Sequence, residues 1–191
     1  ARTARLSSSP NLQNVGDEVN GAFDPRMWIA APRGYRLVVA DIVQQEPRIT
    51  AHFAGGRMLQ NIINDPTLDD HQSVADLLSV NRKKGKQLNL AMTYALGLDE
   101  LARRLGSLRE DAQKLRRQYY AVRPEVKALD DGCKRSWILR QGILTWAGAE
   151  IYVENTADEP GRFAYRALNA LVQRSAAEQL AVANISHIGP A

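Results

Sequence analysis

Apolar positions keep helical spacing over most of this chain and collapse into strand-like runs in few places. The clearest run, Leu37 to Ala40 in YRLVVADIVQQEPR, is rich in Val and Leu and predicts a buried strand that stops at Asp41. Glu46 follows just before Pro47, and proline fits the first turn of a helix, where its missing N–H is no loss. The pattern predicts a strand, an acidic end, a short connection, then a helix from about Pro47 that Gly55-Gly56 terminates. Upstream, Phe23, Met27, Trp28 and Ile29 before Pro32-Arg33-Gly34 predict a strand running into a turn.

Downstream, Ile49, Phe53, Met58 and Ile62 mark helical residues 48–62, broken at Gly55-Gly56, and Asn64-Asp65-Pro66 reads as a turn. Asp69 or Asp70 caps a helix through about Val80, with His71 in its first turn, where a lone histidine reads as a polar surface group. The most basic cluster, Arg82 to Lys86, opens a helix that Asn81 caps and Gly97 ends. At about 100° per residue, Arg82, Lys86, Leu90 (or Asn89) and Thr93-Tyr94 share one side, cationic first and apolar or aromatic further on. That side fits a polyphosphate clamp with room for a base and sugar; it equally fits an amphipathic helix with a solvated Lys/Arg face. Residues 98–140 predict two charged helices, marked by Leu98, Leu101, Leu105 and Leu108 and by Val122, Val126 and Leu129, with a break at Arg123-Pro124. ILTWAGAEIYVE predicts a hairpin or irregular strands, and Asp158 to Gly161 a turn. A last helix, Phe163 to about Ile185, carries Arg166, Asn169 and Gln173 on one face.

Composition narrows the classes. With 191 residues, 45% hydrophobic and 24% charged, the chain reads as a soluble globular domain, or a domain with a lobe. No run suits a bilayer span and no signal peptide is visible. A single cysteine, Cys133, excludes an internal disulfide and a Cys-rich zinc site, and fits a reducing compartment. A net charge of +4 points weakly to a polyanionic partner. Residues 1–14 read either as a solvated loop or, through Arg5, Asn11, Gln13 and Asn14, as hydrogen-bonding groups for a nucleic-acid backbone or groove. The chain starts at Ala1 rather than Met, as a processed protein or a piece of a longer one would.

Taken in order, these stretches resemble the polymerase domain of family A DNA polymerases, the bacterial polymerase I-like group with its phage members. RLSSSPNLQN is similar to that family's RLSSSDPNLQN. VVADIVQQEPRITAHFAGG resembles its first catalytic motif, DYSQIELRILAHLS, with Asp41, Gln44, Glu46, Arg48 and Ala51-His52 at matching positions. RKKGKQLNLAMTYALG resembles the fingers motif RRxxKxxNFGxxYG through Arg82, Lys86, Asn89 and Tyr94, and YRALNALVQRSAAE resembles the phage-type ALNxLxQGSAAD through Asn169 and Gln173. Ile42, Pro47, Leu90, Ala91, Ala95 and Arg174 depart from the usual residues, and Arg166 sits one residue nearer Asn169 than in the bacterial motif. The third motif, VHDE, does not occur, nor do the thumb and nuclease domains.

The resemblance implies an α+β fold: a polymerase palm with a partial antiparallel sheet in residues 1–60, helical fingers in 61–135, and a return to the palm with a minor-groove helix in 136–191. It implies DNA-directed DNA synthesis by nucleotidyl transfer, with Mg2+ in a two-metal site held by Asp41 and the Ile42 carbonyl. Asp41 and Lys86 become the catalytic pair, Lys86 donating a proton to pyrophosphate. Gln44, Glu46, His71, Arg82, Lys86, Leu90 and Tyr94 become dNTP-binding residues, Glu46 excluding a ribose 2′-hydroxyl and Tyr94 lying by the templating position. Arg5, Asn11, Gln13, Asn14, Arg166, Asn169 and Gln173 become contacts to primer–template DNA. Without VHDE, a second carboxylate must come from a complementing chain or the remainder of the polypeptide, which should also cover an apolar edge beside the Asp41 strand. The expected setting is the cytoplasm of a bacterial or phage-infected cell. The readings set against this are a non-catalytic nucleic-acid-binding remnant and a generic helical protein with incidental basic patches.

Overall fold

Gly55, at φ 65°, sits where the sequence demands a break, and two helices meet there: α1 (Gln45–Ala54) and α2 (Gly56–Asn64). The computed structural model describes residues 29–37, 41–139, 141–151 and 161–188. The chain divides into two compact units, Arg5–Val43 and Gln44–Ala191 with Ala1–Ala4, and the elements described here belong to the second. Pro47 lies in the first turn of α1, as its missing N–H dictates. Of the strand expected over Leu37–Ala40, Leu37 is irregular and 57% exposed, so no buried strand begins there; Val38 to Ala40 lie outside the described residues. Of the upstream strand, Ile29 to Pro32 is likewise irregular.

Asp69 caps α3 (Asp70–Leu77), its Oδ1 accepting from the backbone N–H of His71 at 3.0 Å and of Gln72 at 3.3 Å. The helix stops short of Val80 because Ser79 turns left-handed, at φ 53°. Asn81 caps α4 (Arg82–Thr93), accepting from the Lys84 N–H at 2.9 Å. Its end comes at Tyr94 and the left-handed Ala95, not at Gly97, which instead precedes α5 (Leu98–Leu105). Residues 98–140 hold three helices where two were expected: Gly106, at φ 61°, closes α5 before α6 (Arg109–Val122), and Pro124 opens α7 (Pro124–Ile138). The expected hairpin is present as antiparallel β1 (Ile143–Leu144) and β2 (Glu150–Ile151), Ile143 opposite Ile151. A 3-10 turn, Ala164–Arg166, leads into α8 (Ala167–Ile188). The described architecture is mostly helical with a small antiparallel sheet, as the fold class anticipated. None of these helices is long and apolar enough to cross a membrane.

Two apolar clusters result. One gathers Met58, Val74, Leu88, Leu101, Tyr119 and Val126 from α2 to α7. The other gathers Cys133, Trp137, Ile143, Ile151, Leu168 and Val172 around the hairpin and α8. Helix α1 enters both, with Ala51 in the first and Ile49 in the second, and α7 does the same with Val126 and Cys133. The tightest seam is α3 on α4: a Cβ on Gly85 would lie 2.4 Å from the His71 carbonyl oxygen and 3.0 Å from the Ala75 Cβ. Only a residue without a side chain lets the two helices approach so closely.

Candidate functional site

Helix α4 is cationic where it starts and polar–aromatic where it ends, and different neighbours engage the two ends. At the start, Arg82 and Lys86 are exposed, one turn apart, and Leu90 is half-buried. Arg82 is tied down in part: its Nε donates to Asp69 Oδ2 at 2.6 Å. Burial alone would raise the Asp69 carboxyl, but hydrogen bonds from Arg82 and the Gln72 N–H hold it below the usual range. The expected single face divides in three dimensions, since Asn89 and Thr93 turn inward and are buried.

At the end of α4, the Tyr94 hydroxyl donates to Glu46, lying 2.9 Å from Oε1 and 2.8 Å from Oε2. Gln173 of α8 donates from Nε2 to the same Glu46 Oε1, and lies 3.2 Å from the Tyr94 oxygen. Two residues named by the sequence, Tyr94 at the end of α4 and Gln173 of α8, therefore converge on a third, the Glu46 carboxylate of α1. Gln45, next to Glu46, reinforces the junction by donating to the Ala176 carbonyl at 3.0 Å.

His71 departs from the expected surface role. It is 7% exposed, packed between α3 and α4. Burial pulls its pKa below the ordinary 6.5; Asp70 and Asp69 pull upward, while Lys86 and Arg82 add to the depression. Its environment is a buried polar cluster that the sequence did not single out. Arg123, 3% exposed, pairs with Asp70, 2% exposed, through Nη2 to Oδ1 at 2.6 Å. Asn89 donates from Nδ2 to Asp70 Oδ2 at 2.9 Å, and the Tyr119 hydroxyl donates to Asn89 Oδ1 at 3.0 Å. Gln44 joins from the start of α1: its Oε1 accepts from the Asp70 backbone N–H at 2.9 Å. Asn89 matched the motif, but Asp70, Tyr119 and Arg123 carry no spacing signal; Asp70 and Arg123 stand 53 residues apart.

The other sequence-named residues scatter more. Arg166 is exposed and lies over the rings of Phe163 and Tyr165, 4.9 and 5.2 Å from their centroids. Asn169 is half-buried, and Gln173 faces Glu46, so the three do not form one exposed row. Asp41 is exposed and Ile42 half-buried; both belong to the other unit. Arg5, Asn11, Gln13 and Asn14 lie outside the described residues. Among the described residues no group of three or more His, Cys, Asp or Glu side chains is arranged to hold a metal ion. A cleft of about 370 Å3, lined by Met92, Leu96, Arg116, Tyr120, Asp130 and Tyr165, opens beside the end of α4, with no forewarning in the sequence.

Comparison with known proteins places these features. The profile of DNA polymerase family A matches residues 1–188. DNA polymerase I of Pseudomonas aeruginosa is 33% identical over 193 aligned residues, covering 93% of this chain and 21% of that protein. A DNA-directed DNA polymerase of Pseudomonas phage M6 is 26% identical, over 97% of this chain and 35% of its own. The POL domain of Pol1 from M. smegmatis, solved with DNA primer-template and dNTP, superposes with a TM-score of 0.80 at 27% identity, over 98% of this chain and 36% of that one. The chain thus spans about a fifth to a third of the length of these relatives.

Proposed function

This chain belongs to DNA polymerase family A, and on that premise we propose that it is the nucleotide-gripping portion of a template-directed DNA polymerase. The reaction is nucleotidyl transfer: the primer 3′-hydroxyl attacks the α-phosphorus of a dNTP, a P–O bond forms, and pyrophosphate departs. Catalysis of this kind rests on positioning and charge compensation. Residues 61–135 form the fingers, and 1–60 and 136–191 contribute to the palm. The observation that carries the reading is the layout of α4: exposed Arg82 and Lys86 beside His71, and Tyr94 one helix-length away, bonded to Glu46.

Arg82, Lys86 and His71 grip the triphosphate, and Lys86 releases a proton to the leaving pyrophosphate. Gln44 and Leu90 border the nucleotide. Glu46, fixed by Tyr94 and Gln173, presents a rigid wall toward the sugar that rejects a ribose 2′-hydroxyl. Arg5, Asn11, Gln13, Asn14, Arg166 and Asn169 contact primer–template DNA, with Gln173 contributing its other amide atom; minor-groove acceptors are alike for all correct pairs, which suits a sequence-blind enzyme.

An exposed carboxylate at Asp41 and the Ile42 carbonyl are oxygen donors of the type Mg2+ takes. They make part of a two-metal site. Bound Mg2+ would supply charge compensation at the attacking and leaving oxygens. The second carboxylate comes from a complementing chain or the rest of the polypeptide. Primer extension tests this. The isolated chain with Mg2+ should extend little or not at all, and Asp41→Ala should abolish extension in the completed enzyme. Robust extension by the isolated chain overturns the shared site; unimpaired extension by the Asp41→Ala enzyme overturns the polymerase reading.

A further inference from the structure

The cluster beneath α4 has a property that the grip on a triphosphate does not itself require. The amide of Asn89 can stand only one way. Asp70, ion-paired with Arg123, offers an acceptor oxygen at 2.9 Å, so the Asn89 atom facing it must be the donor Nδ2. The other side meets the Tyr119 hydroxyl at 3.0 Å, which donates to Oδ1; burial pushes that phenol upward, so it keeps its proton. One Nδ2 hydrogen goes to Asp70. The other has His71 Nδ1 at 3.1 Å as its nearer partner, with the Asp70 carbonyl oxygen farther off at 3.5 Å. A ring nitrogen that faces a donor has to accept, so Nδ1 carries no proton.

We infer that Asp70 and Arg123 are positioning residues: acting through Asn89, they hold His71 as the tautomer protonated at Nε2, ready to donate one hydrogen bond to a phosphate oxygen. No described residue occupies Nε2 in a hydrogen bond. His71 then serves the anion as a neutral donor while Arg82 and Lys86 supply charge. The charged groups around it agree: Asp69 and Asp70 from its own helix, Arg82 and Lys86 from α4, and Arg123 from the α6–α7 junction through Asp70. Only the phosphate step rests on the function proposed above; the tautomer stands on the geometry.

The test uses the whole chain labelled with 15N-histidine. Long-range proton–nitrogen correlations above the His71 titration should show a bare Nδ1 and a protonated Nε2, with His52 and His187 assigned from their Gln variants. Protonated Nδ1 overturns the inference. Asp70→Leu with Arg123→Leu removes both charges together, a swap that buried ion pairs often tolerate. Circular dichroism checks its fold. It should give a mixture of tautomers and bind inorganic tripolyphosphate roughly tenfold more weakly, the worth of one hydrogen bond to a charged group. Should it fail to fold, Asn89→Leu removes the donor alone and should also mix the tautomers; an unchanged single tautomer in either variant overturns the relay. Unchanged tripolyphosphate affinity with mixed tautomers overturns its functional half. Lys86→Ala separates the two readings: if it leaves tripolyphosphate binding intact while His71 keeps its tautomer, the phosphate grip falls and the relay stands.

Discussion

Asp70 and Arg123 are charged, nearly inaccessible and paired through one Arg123 Nη2, while the buried Arg123 Nε has no partner among the described residues, which makes their energetics asymmetric. Removing one partner leaves the other's charge buried and uncompensated. Arg123→Leu should cost about 3–5 kcal/mol, whereas the double replacement should come near neutral. Urea unfolding of the wild type, both singles and the double measures this, and additive losses would refute it. His71 supplies a pH signature. Its folded pKa lies below the unfolded 6.5, so below that pH the unfolded chain binds the extra proton. The stability it contributes is present above pH 6.5 and lost as pH falls through the depressed folded value. A His71→Gln variant should show a flatter acid limb than the wild type in parallel thermal melts. Neither effect could be read from the sequence, because the environment of His71 is assembled from residues far along the chain.

Between helices, the seam at Gly85 decides where the cationic turn of α4 sits against α3. Alanine there improves helix propensity by about 1 kcal/mol. The added Cβ nevertheless meets a backbone oxygen at 2.4 Å, which has no flexible end to yield. Gly85→Ala should therefore be net destabilising by about 1–3 kcal/mol, as overpacking usually is, and a raised melting temperature would contradict the seam. Helix boundaries were legible where one residue forces them: Gly55-Gly56, Asp69 and Asn81 all fall where expected. Gly106 escaped notice because Leu101, Leu105 and Leu108 keep an unbroken helical spacing across it, although the chain turns left-handed there. Glu46, Tyr94 and Gln173 were each legible as motif residues. Their meeting was not, since Gln173 and Glu46 are 127 residues apart.

At the level of the second unit, α1 and α7 each stand in both apolar clusters, so neither cluster is closed without the other. Loss of one should expose half of two helices at once. Helical circular dichroism, weighted to the first cluster, and tryptophan emission, with Trp137 fully buried in the second, should report one coincident urea transition. Two separated midpoints would show that the clusters melt independently.

The double membership of α7 also bears on any attempt to dissect the protein. A cut within Pro124–Ile138 would leave each fragment with a sticky, half-clothed stump, so pieces made there should recover only when mixed, each acting as the mould for the other.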